Sequence, residues 1–205
     1  ITGAARGQGA VEAAMFAREG AHVVVCDVLE QGGRAVTNAI NSDHGQSIAV
    51  FCRLDVSCEG DWEQAIELAS TTFGALDVLV NNAGNGGAEA MRPRRFTDTG
   101  PDDWLGPMEV NLHGVLHCCH AVLPGMIERE SGSIVCISSD AGRMGEYREA
   151  VYSACKAGVI ALSKSVARET GRYGIRLNVV CPGLVVPPDE EEISGESMWT
   201  KMRSI

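Results

Sequence analysis

The chain has 205 residues, 45% hydrophobic and 21% charged, with a formal charge of −10. That length suits one α/β domain with a sizeable core, and the acidic balance excludes the basic stripe of a nucleic-acid surface. The apolar runs are short strand-like pieces such as Val78-Leu79-Val80, so no bilayer span is expected, and no signal peptide is legible ahead of the first motif.

The chain opens on a Gly-rich turn, Thr2–Gly9, that runs into a helical pattern over Gly9–Glu19. A β-rich run at His22–Asp27 follows, then a helix over Gln31–Asn41 and a strand at Ile48–Cys52. Helix Glu59–Phe73 and strand Asp77–Asn81 repeat the alternation. Pro101-Asp102-Asp103 is a helix-start signal, and Leu105, Met108, Leu112, Val115, Leu116 and Cys119 recur at helical spacing, predicting one helix over Asp102–Glu128. Strand Ser133–Ser138, helix Val151–Tyr173 and strand Ile175–Cys181 complete the pattern.

Strands that alternate with helices, and that read as continuous apolar runs, predict βαβ units around a parallel sheet covered on both faces. The expected architecture is a Rossmann-type doubly wound sheet in three layers, one domain over residues 1–205. Only Ile1 precedes the turn where a strand belongs. After Pro182-Gly183 the pattern gives way to Pro187-Pro188 and the acidic run Asp189–Glu192. Most of a central strand, and a C-terminal strand with its helices, are therefore expected to be missing, as in an incomplete form of a longer chain.

Eight cysteines are present. Cys26, Cys52, Cys136 and Cys181 sit in apolar runs, Cys118 and Cys119 are adjacent, and no pair has CxxC spacing. They read as core thiols of a reducing compartment, the cytoplasm, with no metal site.

Three constellations carry chemistry. In Thr2–Gly9 the glycines let backbone approach a pyrophosphate, and the helix behind it presents free N–H groups and positive dipole. Asp27 ends the next strand, where a carboxylate accepts from the ribose hydroxyls of NAD and repels the 2′-phosphate of NADP. Val28 follows, so no basic residue waits beside Asp27, although Arg6 could reach a 2′-phosphate and keeps NADP as the alternative. Second, Tyr152 and Lys156 stand four apart on a helix, where an ammonium and the positive nicotinamide ring favour phenolate. Third, Ser139 follows strand Ser133–Ser138, at the carboxyl end where α/β sheets place ligands, with Ser138 and Ser153 as lesser candidates.

Together these residues resemble the short-chain dehydrogenase/reductase family over nearly the whole length. The matching stretches are Thr2–Gly9 (TGxxxGxG), Asn81-Asn82-Ala83-Gly84 (NNAG), Asn111, Ser139, Tyr152–Lys156 (YxxxK) and Pro182-Gly183, in the family's order. The resemblance implies hydride transfer between a nicotinamide and a secondary alcohol or ketone. It implies that Gly3, Gly7 and Gly9 hold the pyrophosphate, Asp27 the adenosine ribose and Asp55 the adenine, while Asn82, Ala83 and Gly84 line the cofactor. Arg6, Gln8, Val28, Val56, Pro182, Gly183 and Val185 are further implied cofactor contacts. Tyr152 would be the general acid/base and Ser139 would polarise the carbonyl. Lys156 would bind the nicotinamide ribose, and Asn111 would support a water-linked proton relay to it. Two departures stand out. Gln8 occupies a position more usually aliphatic, and Leu184-Val185-Val186-Pro187 lacks the hydroxylated residue usual after Pro-Gly.

The substrate side is less defined. Arg92, Arg94 and Arg95 around Pro93 could meet a carboxylate or a coenzyme A thioester, or could be an ordinary solvated loop. Glu149–Lys156 with Leu123-Pro124-Gly125-Met126 is similar to dehydrogenases of hydroxycyclohexanecarboxyl-CoA compounds, implying a cyclic or acyl-CoA-linked alcohol. Epimerisation or dehydration on the same scaffold is the competing enzyme reading, and a nucleotide-binding scaffold the non-enzyme one. The resemblance also implies a homotetramer or homodimer through the helices Asp102–Glu128 and Val151–Tyr173. Neither a nucleic acid nor a membrane is expected as partner.

Overall fold

A computed structural model describes residues 1–85, 94–183 and 185. Five parallel strands appear: β1 (Val23–Asp27), β2 (Ala49–Arg53), β3 (Val78–Asn81), β4 (Gly132–Ile137) and β5 (Ile175–Val180). β1 pairs with β2, Val25 opposite Phe51, while β4 lies between β3 and β5, Ile134 opposite Leu79 and Leu177. Backbone of residues 1–4 joins these two groups. Thr2 N–H donates to Val80 O (3.1 Å) on one side; on the other, Cys26 N–H donates to Ile1 O (2.9 Å) and Ala4 N–H to Cys26 O (3.1 Å). The spatial order is β2, β1, residues 1–4, β3, β4, β5, and the end of the expected central strand is thus in place.

Helices alternate with the strands as the pattern predicts: α1 (Gly7–Arg18), α2 (Glu30–His44), α3 (Glu59–Phe73), α4 (Pro101–Met108), α5 (Gly114–Glu128), α6 (Ala141–Met144) and α7 (Ala150–Thr170). Ala13, Ala17 and Ile40 of α1 and α2 close one face over Val23, Val25 and Ala49. Trp62, Val115, Cys118, Met126 and Val159 of α3, α5 and α7 close the other over Leu79, Ile134, Cys136 and Leu177. Helix, sheet and helix make the three layers of a doubly wound α/β domain.

The single helix expected over Asp102–Glu128 is corrected. A π-helical turn at Glu109–His113 separates α4 from α5. Pro107, inside α4, has no N–H for the ladder, and its carbonyl accepts from the Asn111 side chain, so a local register shift replaces regular bonding. By length and composition the 28-residue stretch Pro101–Glu128 is apolar enough to cross a membrane, which the short apolar runs did not suggest. Its buried positions (Val115, Cys118, Cys119, Val122 and Met126) pack against the sheet instead. All eight cysteines are free, and six are buried.

Candidate active site

The carboxyl ends of β1, β3, β4 and β5 converge where the predicted site residues lie. At the first crossover, Gly3 and Gly7 take left-handed φ values of 63° and 56°, which lets the chain turn into α1 without a Cβ penalty. Arg6 is the exposed N-cap of α1, and the first turn of that helix carries neither a side-chain cap nor an acidic residue. A Cβ built on Gly7 would meet nothing within 4 Å, so the first turn of α1 opens onto empty space. That cradle of free N–H groups and positive dipole fits a pyrophosphate. The Gln8 side chain turns away to donate to Glu12 (2.8 Å), leaving only its backbone for the turn. Burial holds the Glu12 carboxyl above the usual range.

Gly9 is demanded by packing. A Cβ there would sit 2.3 Å from Gly3 O and 2.5 Å from Asn82 Nδ2. Asn82 is the clasp of this corner: its amide donates to Thr2 O (2.9 Å) and Gly3 O (3.1 Å). The buried Thr2 hydroxyl accepts from the backbone N–H of Asn82 (3.1 Å) and Ala83 (3.0 Å). Asp27 is buried at the end of β1, its two oxygens accepting from Ala5 N–H and Leu29 N–H at 2.9 Å each. Each oxygen keeps a second lone pair for a ribose hydroxyl. Val28 is exposed beside it. Asp55 accepts from the Ser57 hydroxyl (2.6 Å) and N–H, which holds its carboxyl below the ordinary value. Val56 is buried behind it, against Gly114.

The three candidate serines separate cleanly. Ser138 is buried and donates to Lys156 O (2.8 Å), while the Ser153 hydroxyl accepts from Glu146 N–H (3.0 Å); both are structural. Ser139, one residue beyond, accepts from Ala141 N–H (3.1 Å) and stands beside the Tyr152 phenol. Burial raises the phenol's pKa most, Glu149 adds to the rise, and Ser139 opposes it. The net shift is upward, so the lowering expected from Lys156 is not found. Lys156 instead sits with its ammonium 5.6 Å from the Tyr152 ring centre and donates to Ile137 O (3.0 Å). Desolvation brings its pKa down to about 8.

Asn111 lies in the π-turn, fully buried. Its amide nitrogen donates to Asn85 Oδ1 (2.6 Å), Asn85 O (3.2 Å) and Pro107 O (3.0 Å). Among the described residues its Oδ1 has no partner. A Cβ on Gly84 would fall 3.0 Å from that oxygen and 3.4 Å from Lys156 Nζ, so the glycine keeps open the space between them. A buried acceptor without a partner costs free energy unless something small and polar reaches it, and this gap would admit a donor such as water. Pro182 O accepts from Asp140 N–H (2.9 Å), Gly183 packs near the Asp140 carboxylate, and Val185 is exposed. Leu184, Val186, Pro187 and Arg92 lie outside the described residues.

Some supporting residues carried no isolated signal. Asn85 orients Asn111. Gly142 lets α6 reach α7, since a Cβ there would stand 2.6 Å from the Lys156 backbone carbon. The bracketing Pro107 and Gly114 were the available hint of the π-turn.

Residues 1–196 match the profile of the family described as short chain dehydrogenase. The chain is 42% identical over 192 residues to trans-4-hydroxycyclohexanecarboxylate dehydrogenase of Sinomonas cyclohexanicum, covering 92% of this chain and 72% of that protein. It is 38% identical over 188 residues to 3-alpha-(or 20-beta)-hydroxysteroid dehydrogenase of Mycobacterium tuberculosis, covering 92% and 68%. L-fucose dehydrogenase of Oryctolagus cuniculus is 36% identical over 194 residues, covering 95% and 64%. Fold, ordered motifs and relatives agree: the chain belongs to the short chain dehydrogenase family, as an oxidoreductase that uses a nicotinamide cofactor and acts on a small molecule.

Proposed function

We propose that this protein is an NAD-dependent dehydrogenase or reductase of a secondary alcohol or ketone, with Tyr152 as general acid/base. The observation that carries the reading is the Lys156 ammonium 5.6 Å from the centre of the Tyr152 ring, with Ser139 beside the phenol. When bound, the nicotinamide supplies or accepts the hydride. Ser139 holds the substrate oxygen and Tyr152 takes or returns its proton. Lys156 stabilises phenolate as it forms, its Nζ standing across the Gly84 gap from Asn111. Asn111 Oδ1 holds a water that passes the proton onward, which gives that orphaned oxygen a partner. This favours redox chemistry over epimerisation or dehydration, in keeping with relatives named as dehydrogenases.

Gly3, Gly7 and Gly9 with the first turn of α1 would hold the pyrophosphate, and Asp27 the adenosine ribose. Asp55 and Val56 would border the adenine, and Asn82, Ala83 and Gly84 the nicotinamide side, with Pro182, Gly183 and Val185 opposite. Residues 1–205 serve as one cofactor-binding and catalytic domain. The free cysteines support a reducing compartment, the cytoplasm. Exposed Leu105 and Leu116 support self-association, as a homotetramer, through α4, α5 and α7.

Thermal unfolding with NADH and with NADPH tests the cofactor. NADH at a hundredfold excess over its dissociation constant should stabilise the fold by about 2.7 kcal/mol, and NADPH much less. Asp27→Asn keeps the shape and removes the charge, so the ratio of NADH to NADPH affinity should fall roughly tenfold, about 1.4 kcal/mol. Equal stabilisation of the parent protein by both cofactors would sink the NAD reading. Gly84→Ala should lower kcat about tenfold or more through the blocked relay; unimpaired turnover would remove Asn111 from the proton path.

A further inference from the structure

Beside the site, Phe96, Thr99, Asp103, Trp104, Arg148 and Val151 help line a cavity of about 520 Å³. Asn85, which orients Asn111, and Val151, the neighbour of Tyr152, also belong to its wall, so the cavity abuts the proposed catalytic groups. One side is flat and apolar: Phe96 and Trp104 stack with ring centres 5.5 Å apart, and Trp104 Nε1 is fixed by donating to Thr99 Oγ1 (3.0 Å).

The charges in this wall are unequal in a telling way. Arg94 is ion-paired with Asp103, whose other oxygen accepts from Gly100 N–H. Arg95 contributes no wall, and Arg92 lies outside the described residues. Arg148 is different. Its backbone takes a left-handed φ of 65°, rare for a side chain of its size, and is pinned by Arg94 N–H donating to Arg148 O (3.2 Å). Its guanidinium lies over the Tyr147 ring, 5.0 Å from the centre. Among the described residues no carboxylate stands within ion-pairing distance of it. The adjacent Glu149 makes no ion pair with it.

We infer that Arg148 captures a carboxylate carried by the substrate, whose apolar ring lies along Phe96 and Trp104 while its hydroxyl reaches Ser139 and Tyr152. The inference rests on the dehydrogenase reading above and names its substrate class: a cyclic hydroxy acid with a free carboxylate. Arg148 stands just ahead of α7, whose first turn carries Tyr152, so the guanidinium and the phenol belong to one short stretch of chain beside the cavity. A guanidinium recognises a carboxylate through paired N–H donors. A coenzyme A thioester offers a neutral carbonyl at that place and forgoes the pairing.

Cyclohexanecarboxylate and cyclohexanecarboxamide, which have no hydroxyl to react, test the subsite by thermal unfolding with and without NADH. The carboxylate should stabilise the parent protein and the carboxamide should not. Arg148→Met should weaken carboxylate binding roughly 10- to 100-fold, the range of a charge-assisted hydrogen bond, and Arg148→Lys should restore part of it. Stabilisation by both compounds alike, by neither, or by the carboxylate undiminished in Arg148→Met overturns the proposal. Kinetics separate the two readings. With trans-4-hydroxycyclohexanecarboxylate, Arg148→Met should raise KM by that factor with kcat little changed, and leave turnover of cyclohexanol as it was. Carboxylate binding without NADH formation from any alcohol would count against the dehydrogenase reading alone.

Discussion

Tyr152→Phe should lower kcat by about 10²- to 10⁴-fold, the range that general acid–base catalysis supplies, while NADH binds as before. The ring would remain 5.6 Å from the Lys156 ammonium, so packing and the lysine's bond to Ile137 O should persist. What disappears is the hydroxyl proposed to exchange a proton with the substrate oxygen. Burial raises the phenol's pKa, so the proton must leave with help from charge that develops during reaction, and phenylalanine offers no substitute. Stopped-flow measurement of NADH absorbance reads kcat, and a fluorescence titration reads the affinity. Turnover within tenfold of the parent would place the acid/base elsewhere.

Gly9→Ala should be the most damaging change in the cofactor turn. Its Cβ would stand 2.3 Å from Gly3 O, 2.5 Å from Asn82 Nδ2 and 3.0 Å from Gly3 C. Backbone cannot swing aside as the end of a lysine can, so either α1 moves outward or the Asn82 clasp on Thr2 and Gly3 breaks. Overpacking of this kind costs roughly 1–3 kcal/mol of stability. Because the free N–H groups of α1 shift with the helix, NADH affinity should fall about a hundredfold, by analogy with the cost of a 1 Å misplacement. Gly7→Ala is the informative comparison. Its Cβ meets nothing, so only the left-handed backbone is penalised, by about 1–2 kcal/mol. Equal losses of NADH affinity in the two variants would show that backbone conformation, not close packing, makes the turn.

The strands were legible because their apolar runs and terminal polar residues are local properties. Val23–Asp27 and Val78–Asn81 fall inside the predicted runs, and Asp27 ends its strand as expected. The glycine turn, Asn82, Ser139, Tyr152 and Lys156 were legible as ordered motifs, and the fold brings them to one end of the sheet. The break between α4 and α5 was not, because a π-turn inserts one residue without disturbing composition on either side. Nor could spacing divide Ser138 from Ser139. Which hydroxyl faces α7 depends on where β4 ends, a matter of one residue. The two readings of the arginines stayed open for a similar reason. Charge density around Pro93 drew attention to Arg94, yet Asp103 neutralises it, while Arg148 owes its opening to a backbone angle that no pattern reveals.

The four residues that lie between β1 and β3 are also a seam. Thr2, Ala4 and Cys26 supply backbone hydrogen bonds that join the two strand groups, and Cys26 and Cys52 share one buried core with Leu79 and Ile134 across the seam. Native-state hydrogen exchange at those three amides would register any opening of the seam. The cofactor turn continues directly from the seam and Asn82 clasps it from the far side. A ligand seated on Gly3–Gly9 would therefore lock the two halves together, making its binding a brake on sub-global opening as well as a step toward turnover.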